Sequence, residues 1–110
     1  MPIPENIELL MPWKTIQGSG SIYFSSELQR ELPPGHVLYG IKARAVAVRL
    51  DQDDVLYEIE GPMPLAVVHL TNAKETDSRW PRSKLFQSWQ DWVRDEMLPA
   101  HRDYVLPDES

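Results

Sequence analysis

Residues 40–71 read GIKARAVAVRLDQDDVLYEIEGPMPLAVVHLT, and this stretch decides the fold. Three apolar runs, 41–50, 55–59 and 65–71, are cut by two short segments. The first, Asp51-Gln52-Asp53-Asp54, suits a tight turn, because an Asp carboxylate accepts hydrogen bonds from nearby backbone N–H groups. The second, Gly61-Pro62-Met63-Pro64, is a cluster of breakers. Neither connection is long enough for a parallel crossover, so neighbouring strands are antiparallel. Val, Ile, Leu and Tyr dominate the runs, as expected of strands.

Period two assigns the faces. In the first run Ile41, Ala43, Ala45 and Ala47 share one side, and Lys42, Arg44, Val46, Val48 and Leu50 the other. The second opposes Val55, Tyr57 and Ile59 to Leu56, Glu58 and Glu60. The third opposes Ala66, Val68 and Leu70 to Leu65, Val67, His69 and Thr71. One face of the sheet is therefore buried throughout and the other partly covered. The small Ala row leaves room for a large partner, and the Trp residues of the C-terminal segment are the expected one.

Outward from the meander, 1–12 carries three Pro and reads as an N-terminal arm. Residues 13–17 and 21–24 read as a hairpin about Gly18-Ser19-Gly20. Residues 25–32 read as a short helix, with Ser26 and Gln29 as a capping box and Phe24, Leu28 and Leu32 as its apolar stripe. Pro33 ends it, since a residue before proline avoids helical angles. A polar connection runs from 72 to 82. A helix over 88–98 follows, capped by Ser88 with Asp91 three residues later. Leu85, Trp89, Trp92, Val93 and Met97 form its core stripe, Pro99 ends it, and 105–110 is a polar tail.

The whole is read as a single α+β domain over 1–110. It is an antiparallel meander of three to five strands packed against the C-terminal helix and the short N-terminal helix, both on one face. The chain has 110 residues, enough to bury a core without staples. The absence of Cys excludes disulfides and thiolate-bound metals. No basic leader follows Met1 and no run is long enough to span a bilayer, so the reading is a soluble, cytoplasmic protein with no membrane partner. A net charge of -6 argues against binding nucleic-acid phosphates and accommodates a basic protein partner.

No phosphate-binding glycine loop, HExxH, GxSxG or calcium loop is present, so no catalytic residue, metal or cofactor is assigned. Asp51, Asp53 and Asp54 lack the glycine and distal Glu of a calcium loop and read as a turn. His36, His69 and His101 with Glu75 do not have metal-site spacing. The candidate binding residues are His69, Thr71, Glu75, Trp80 and Arg82. Imidazole suits proton transfer near neutral pH, and Thr71, two residues on, shares the face of His69. A core-independent Trp80 flanked by Arg79 and Arg82 is the kind of anchor interfaces use, against the alternative that it covers the sheet edge.

Gly35-His36, Gly40, Ala47, Asp53-Asp54-Val55-Leu56, Ala66-Val67-Val68-His69-Leu70-Thr71, Glu75, Pro81 and Ser88 together carry a resemblance to a small bacterial domain family of unknown function. It covers about half the chain and implies no activity. Asn72 departs from that family's pattern, in which an aromatic follows the Thr. Three functions are compatible with these residues: an acidic interaction protein that docks through Trp80, a small-molecule site or enzyme around His69, Thr71 and Glu75, and a structural subunit that assembles through an open sheet edge.

Overall fold

The computed structural model describes residues 3–4 and 7–105. The elements in chain order are β1 (Trp13–Thr15), α1 (Ser19–Glu31), β2 (Ala43–Arg49), β3 (Asp54–Ile59), β4 (Leu65–His69) and β5 (Arg82–Phe86). A C-terminal helix follows. It consists of α2 (Trp89–Trp92), a π-helical turn (Val93–Met97) and α3 (Leu98–Val105). The five strands form one antiparallel sheet in the order β1-β2-β3-β4-β5. The expected α+β meander is present, with β1 and β5 added at its edges.

The two helices lie on opposite faces, not on one. Leu28 of α1 and Leu32 just after it pack with Ala45, Val55, Tyr57, Ala66, Val68 and Leu70. Trp92, Met97 and Ala100 pack with Trp13, Val46, Ala47, Leu56, Leu65, Val67 and Phe86. Each fully buried Leu or Val contributes roughly 1.5–3 kcal/mol of transfer free energy, so two apolar faces require two covering layers.

A bulge explains why the Ala row does not face the Trp stripe as expected. The β2–β3 register shifts between Ala45, opposite Tyr57, and Ala47, opposite Leu56. Val46 is the extra residue, so Val46 and Ala47 fall on the same face. Ile41, Ala43 and Ala45 therefore meet α1, and only Ala47 reaches the Trp92 cluster. Both backbone groups of Ala45, beside the bulge, are taken up by α1. Ser21 Oγ donates to the carbonyl at 2.6 Å, and Ser25 Oγ accepts the N–H at 3.0 Å.

These contacts also correct the expected hairpin. Residues 21–24 belong to α1, which starts at Ser19 after Gly18, whose φ of 59° lies in the left-handed region. Ser26 and Gln29 sit in mid-helix and cap nothing. Ser21 and Ser25 do face the sheet, but as hydrogen-bonding groups, so apolar spacing does not reveal them.

Ser88 caps the C-terminal helix as expected, its Oγ accepting the Asp91 N–H at 3.1 Å. The helix does not stop at Pro99 but runs to Val105. A regular helix would press the proline ring against the carbonyl of Asp95. The π turn precedes that point and widens the backbone, with the Leu98 N–H bonding the Val93 carbonyl five residues back. Val105 is thus helical, and the rest of the expected tail lies outside the described residues, as do parts of the arm. Among the described residues no helix is long and apolar enough to cross a membrane.

Candidate functional site

The C-terminal helix covers only part of its face of the sheet. Along β4 and β5 the paired rows on that face are Leu65 with Phe86, Val67 with Lys84, and His69 with Arg82. The helix buries the first row and touches the second, where Lys84 Nζ donates to Glu96 Oε1 at 2.8 Å. The third row is left open. It floors a groove of about 900 Å³.

His69 is half-exposed there, and its Nδ1 lies 2.7 Å from Asp54 Oδ1, its cross-strand neighbour on β3. Asp54 in turn lies 4.0 Å from the guanidinium of Arg49, which also binds Asp51 at 2.7 Å. An ionised carboxylate only accepts, so Nδ1 carries the proton and Nε2 is left free for a ligand. On the other side of His69, Arg82 sits with its guanidinium carbon 5.0 Å from the centroid of the Trp80 ring.

Four cations (Arg49, Arg79, Arg82 and Lys84) and two carboxylates (Asp54 and Glu96) line the groove. Arg49, Arg79 and Lys84 each hold a carboxylate. Among the described residues Arg82 has none, only the face of Trp80. Charges of both signs thus meet at the groove, and Arg82 is the cation in its lining left without a carboxylate among the described residues.

The wall is built by two loops that grip one another. His36 is buried. Its Nδ1 accepts the Leu38 N–H at 3.0 Å, so its Nε2 carries hydrogen and donates to the Pro81 carbonyl at 2.6 Å. Gly35, at φ 93°, backs onto Ser78, whose Cβ would lie 3.4 Å from an added Cβ. Trp80 is half-buried at this rim, held by its N–H to the Asp77 carbonyl at 3.0 Å. Arg79 bonds the same Asp77 and holds its carboxyl down at about 2, through the guanidinium hydrogen bonds first and the Arg79 backbone N–H second.

Of the five residues singled out from sequence, the groove unites His69, Trp80 and Arg82. Thr71 and Glu75 are elsewhere. The strand ends at His69, Leu70 turns into the α1 core, and Asn72 adopts φ 63°. Thr71 Oγ1 then donates within reach of Glu31 Oε1 at 3.1 Å and Glu75 Oε2 at 2.7 Å. Period two does not carry His69 and Thr71 to one site because the period stops between them. Arg49, Asp54 and Lys84 were missed. The signal for Asp54 was present: it is the last residue of the Asp run, and the hairpin register places it opposite His69.

No protein-family model, curated protein or solved structure matches this chain. Glu31 is fully buried, and burial, with a hydrogen bond to the Glu27 carboxylate, pushes its carboxyl up. Glu27 is held down by the Arg30 guanidinium, 2.6 Å away. Burial, and then the nearby Glu31 and Glu27 charges, push the Tyr57 hydroxyl up, and it donates to the Phe24 carbonyl at 2.8 Å. Glu27, Glu31 and Tyr57 lie outside the lining of the groove over the His69–Arg82 row. His101 is engaged, its Nδ1 lying 2.6 Å from the Met11 carbonyl.

Proposed function

We propose that this protein binds a small anionic ligand, bearing a carboxylate or a phosphate, in the groove over the His69–Arg82 row. The observation that carries the reading is Arg82: a cation with no carboxylate partner among the described residues, stacked on Trp80 and paired across the ladder with a histidine. A guanidinium offers a planar fork of donors that fits carboxylate and phosphate. The groove is within the size range of small-molecule sites. His69, Arg82 and Trp80 bind, and Asp54 and Arg49 position His69. A cytoplasmic setting goes with this reading, supported by the lack of Cys.

The test is a melting-temperature screen against small carboxylates and phosphate esters, with Trp fluorescence as the second readout. A ligand held at one hundred times its dissociation constant adds about 2.7 kcal/mol to stability. A shift present in the native protein and lost in Arg82→Ala supports the reading. No shift from any member of the panel counts against it.

A second reading has one observation in its favour. Val37, 60% exposed, lines the same groove as Trp80 and gives it an apolar shoulder. An acidic segment of a partner protein would then be the occupant, rather than the basic partner that net charge alone points to. Loss of one captured protein in a Trp80→Ala pull-down, with the small-molecule screen silent, would favour it.

A further inference from the structure

We infer that the groove takes up its anion together with one proton, which settles on Nε2 of His69. The inference rests on the reading of the groove as an anion site and adds how that site is controlled. Asp54 occupies Nδ1, so Nε2 is the nitrogen that gains and loses a proton. It has no partner among the described residues, and the side chain is 51% exposed. Neutral, Nε2 presents a lone pair to the groove and repels an oxyanion. Protonated, it becomes a second charged donor beside Arg82.

The charges around His69 decide when the proton is held. Asp54 on β3 favours the imidazolium, and Arg49 on β2 opposes it from behind Asp54. Arg82 opposes it directly from β5. Lys84 is offset by Glu96 of the C-terminal helix, and Arg79 by Asp77 of the loop. His36 is engaged at both nitrogens. Arg49 is in turn offset by Asp51, which leaves Arg82 as the cation facing His69 without a carboxylate of its own among the described residues. An anion seated between His69 and Arg82 cancels the repulsion and draws the proton in. By linkage, its affinity rises as pH falls through the His69 titration. Nothing covalent occurs, and the proton comes from solvent.

Sulfate is the probe, because it does not titrate in this range, with chloride at matched ionic strength as the control. The ring resonances of the three histidines are followed by NMR against pH, His69 being assigned with His69→Gln. The expected result is a His69 midpoint raised by ~0.5 unit or more in saturating sulfate, equivalent to about threefold tighter binding to the protonated form. His36 and His101 stay unmoved, and Arg82→Ala removes the shift. Sulfate that changes Trp fluorescence while the His69 curve stays fixed would overturn the proton linkage and leave the anion site standing. No response of Trp or His69 to sulfate at any pH where the protein is folded would overturn the anion site, and the linkage with it.

Discussion

The carboxylate of Glu31, at the end of α1, accepts the backbone N–H groups of both Thr71 and Asn72 at 2.8 Å. One fully buried side chain thereby fastens the helix on one face of the sheet to the exit of β4. Glu31→Ala strands those donors. An unsatisfied buried donor costs about 1–3 kcal/mol, and Asn72 is reached by water, so the expected loss is about 2 kcal/mol. Urea unfolding measures it. A midpoint unchanged from the native protein would show that the contact contributes nothing net.

The same residue predicts a pH dependence. Burial, and then Glu27, raise the Glu31 carboxyl in the folded state above its ordinary value. A raised carboxyl contributes stability that is fully present below the unfolded value and is lost as pH rises through the folded one. The native protein should therefore gain stability relative to Glu31→Gln on going from about pH 7 to about pH 5. Glu27 has the opposite sign, since Arg30 holds it down, but it is present in both proteins. Equal pH profiles for the pair would contradict the assignment.

Tyr57 provides a second tie between α1 and the sheet, through its hydroxyl on the Phe24 carbonyl. Tyr57→Phe keeps the buried ring and removes one hydrogen bond. The expected cost is about 0.5–1.5 kcal/mol. A larger loss by thermal unfolding would indicate that the ring itself had moved.

His36→Ala should act on the wall of the groove. It leaves the Pro81 carbonyl and the Leu38 N–H without their shared partner. A loss of about 1–3 kcal/mol follows if both stay buried. The loop that carries Trp80 is then held less tightly, so Trp emission should shift to the red in the folded variant. Lower stability without that shift would separate the two effects of the latch.

The three central strands were legible because period two, β-branched composition and two turn clusters all agree from Ala43 to His69. The C-terminal cap at Ser88 was legible for a similar reason: cap and apolar stripe coincide. β5 was not, since Arg82, Ser83 and Lys84 give it a polar reading that only pairing with β4 explains. The start of α1 was hidden because Ser21 and Ser25 face the sheet as donors and acceptors rather than as apolar residues. The bulge at Val46 was invisible to a strict two-residue period, and it moved Ala47 to the opposite layer. Pro99 misled because the π turn ahead of it is a backbone adjustment with no residue signature of its own.

The site was half legible on the same grounds. His69, Trp80 and Arg82 stood out by residue type. Asp54 pairs with His69 across a hairpin, and Lys84 pairs with Glu96 across two layers, so only the register and the helix position bring them in.

That last pair gives a prediction that links packing to binding. Glu96 is nine-tenths buried beside the groove, while Lys84 is largely exposed. Lys84→Ala leaves an unpaired carboxylate in the lining that Arg82 shares, which should compete with an incoming anion. Stability should fall by about 1–3 kcal/mol, since a nine-tenths buried carboxylate loses its partner. Ligand affinity should fall several-fold as well. Adding Glu96→Gln removes the competing charge and should restore most of the affinity without restoring the ion pair. Calorimetric titration of the four proteins in the double-mutant cycle reads this out. If Lys84→Ala binds as well as the native protein, the charge balance of the groove does not set its affinity, and the contacts to Arg82 and Trp80 act alone.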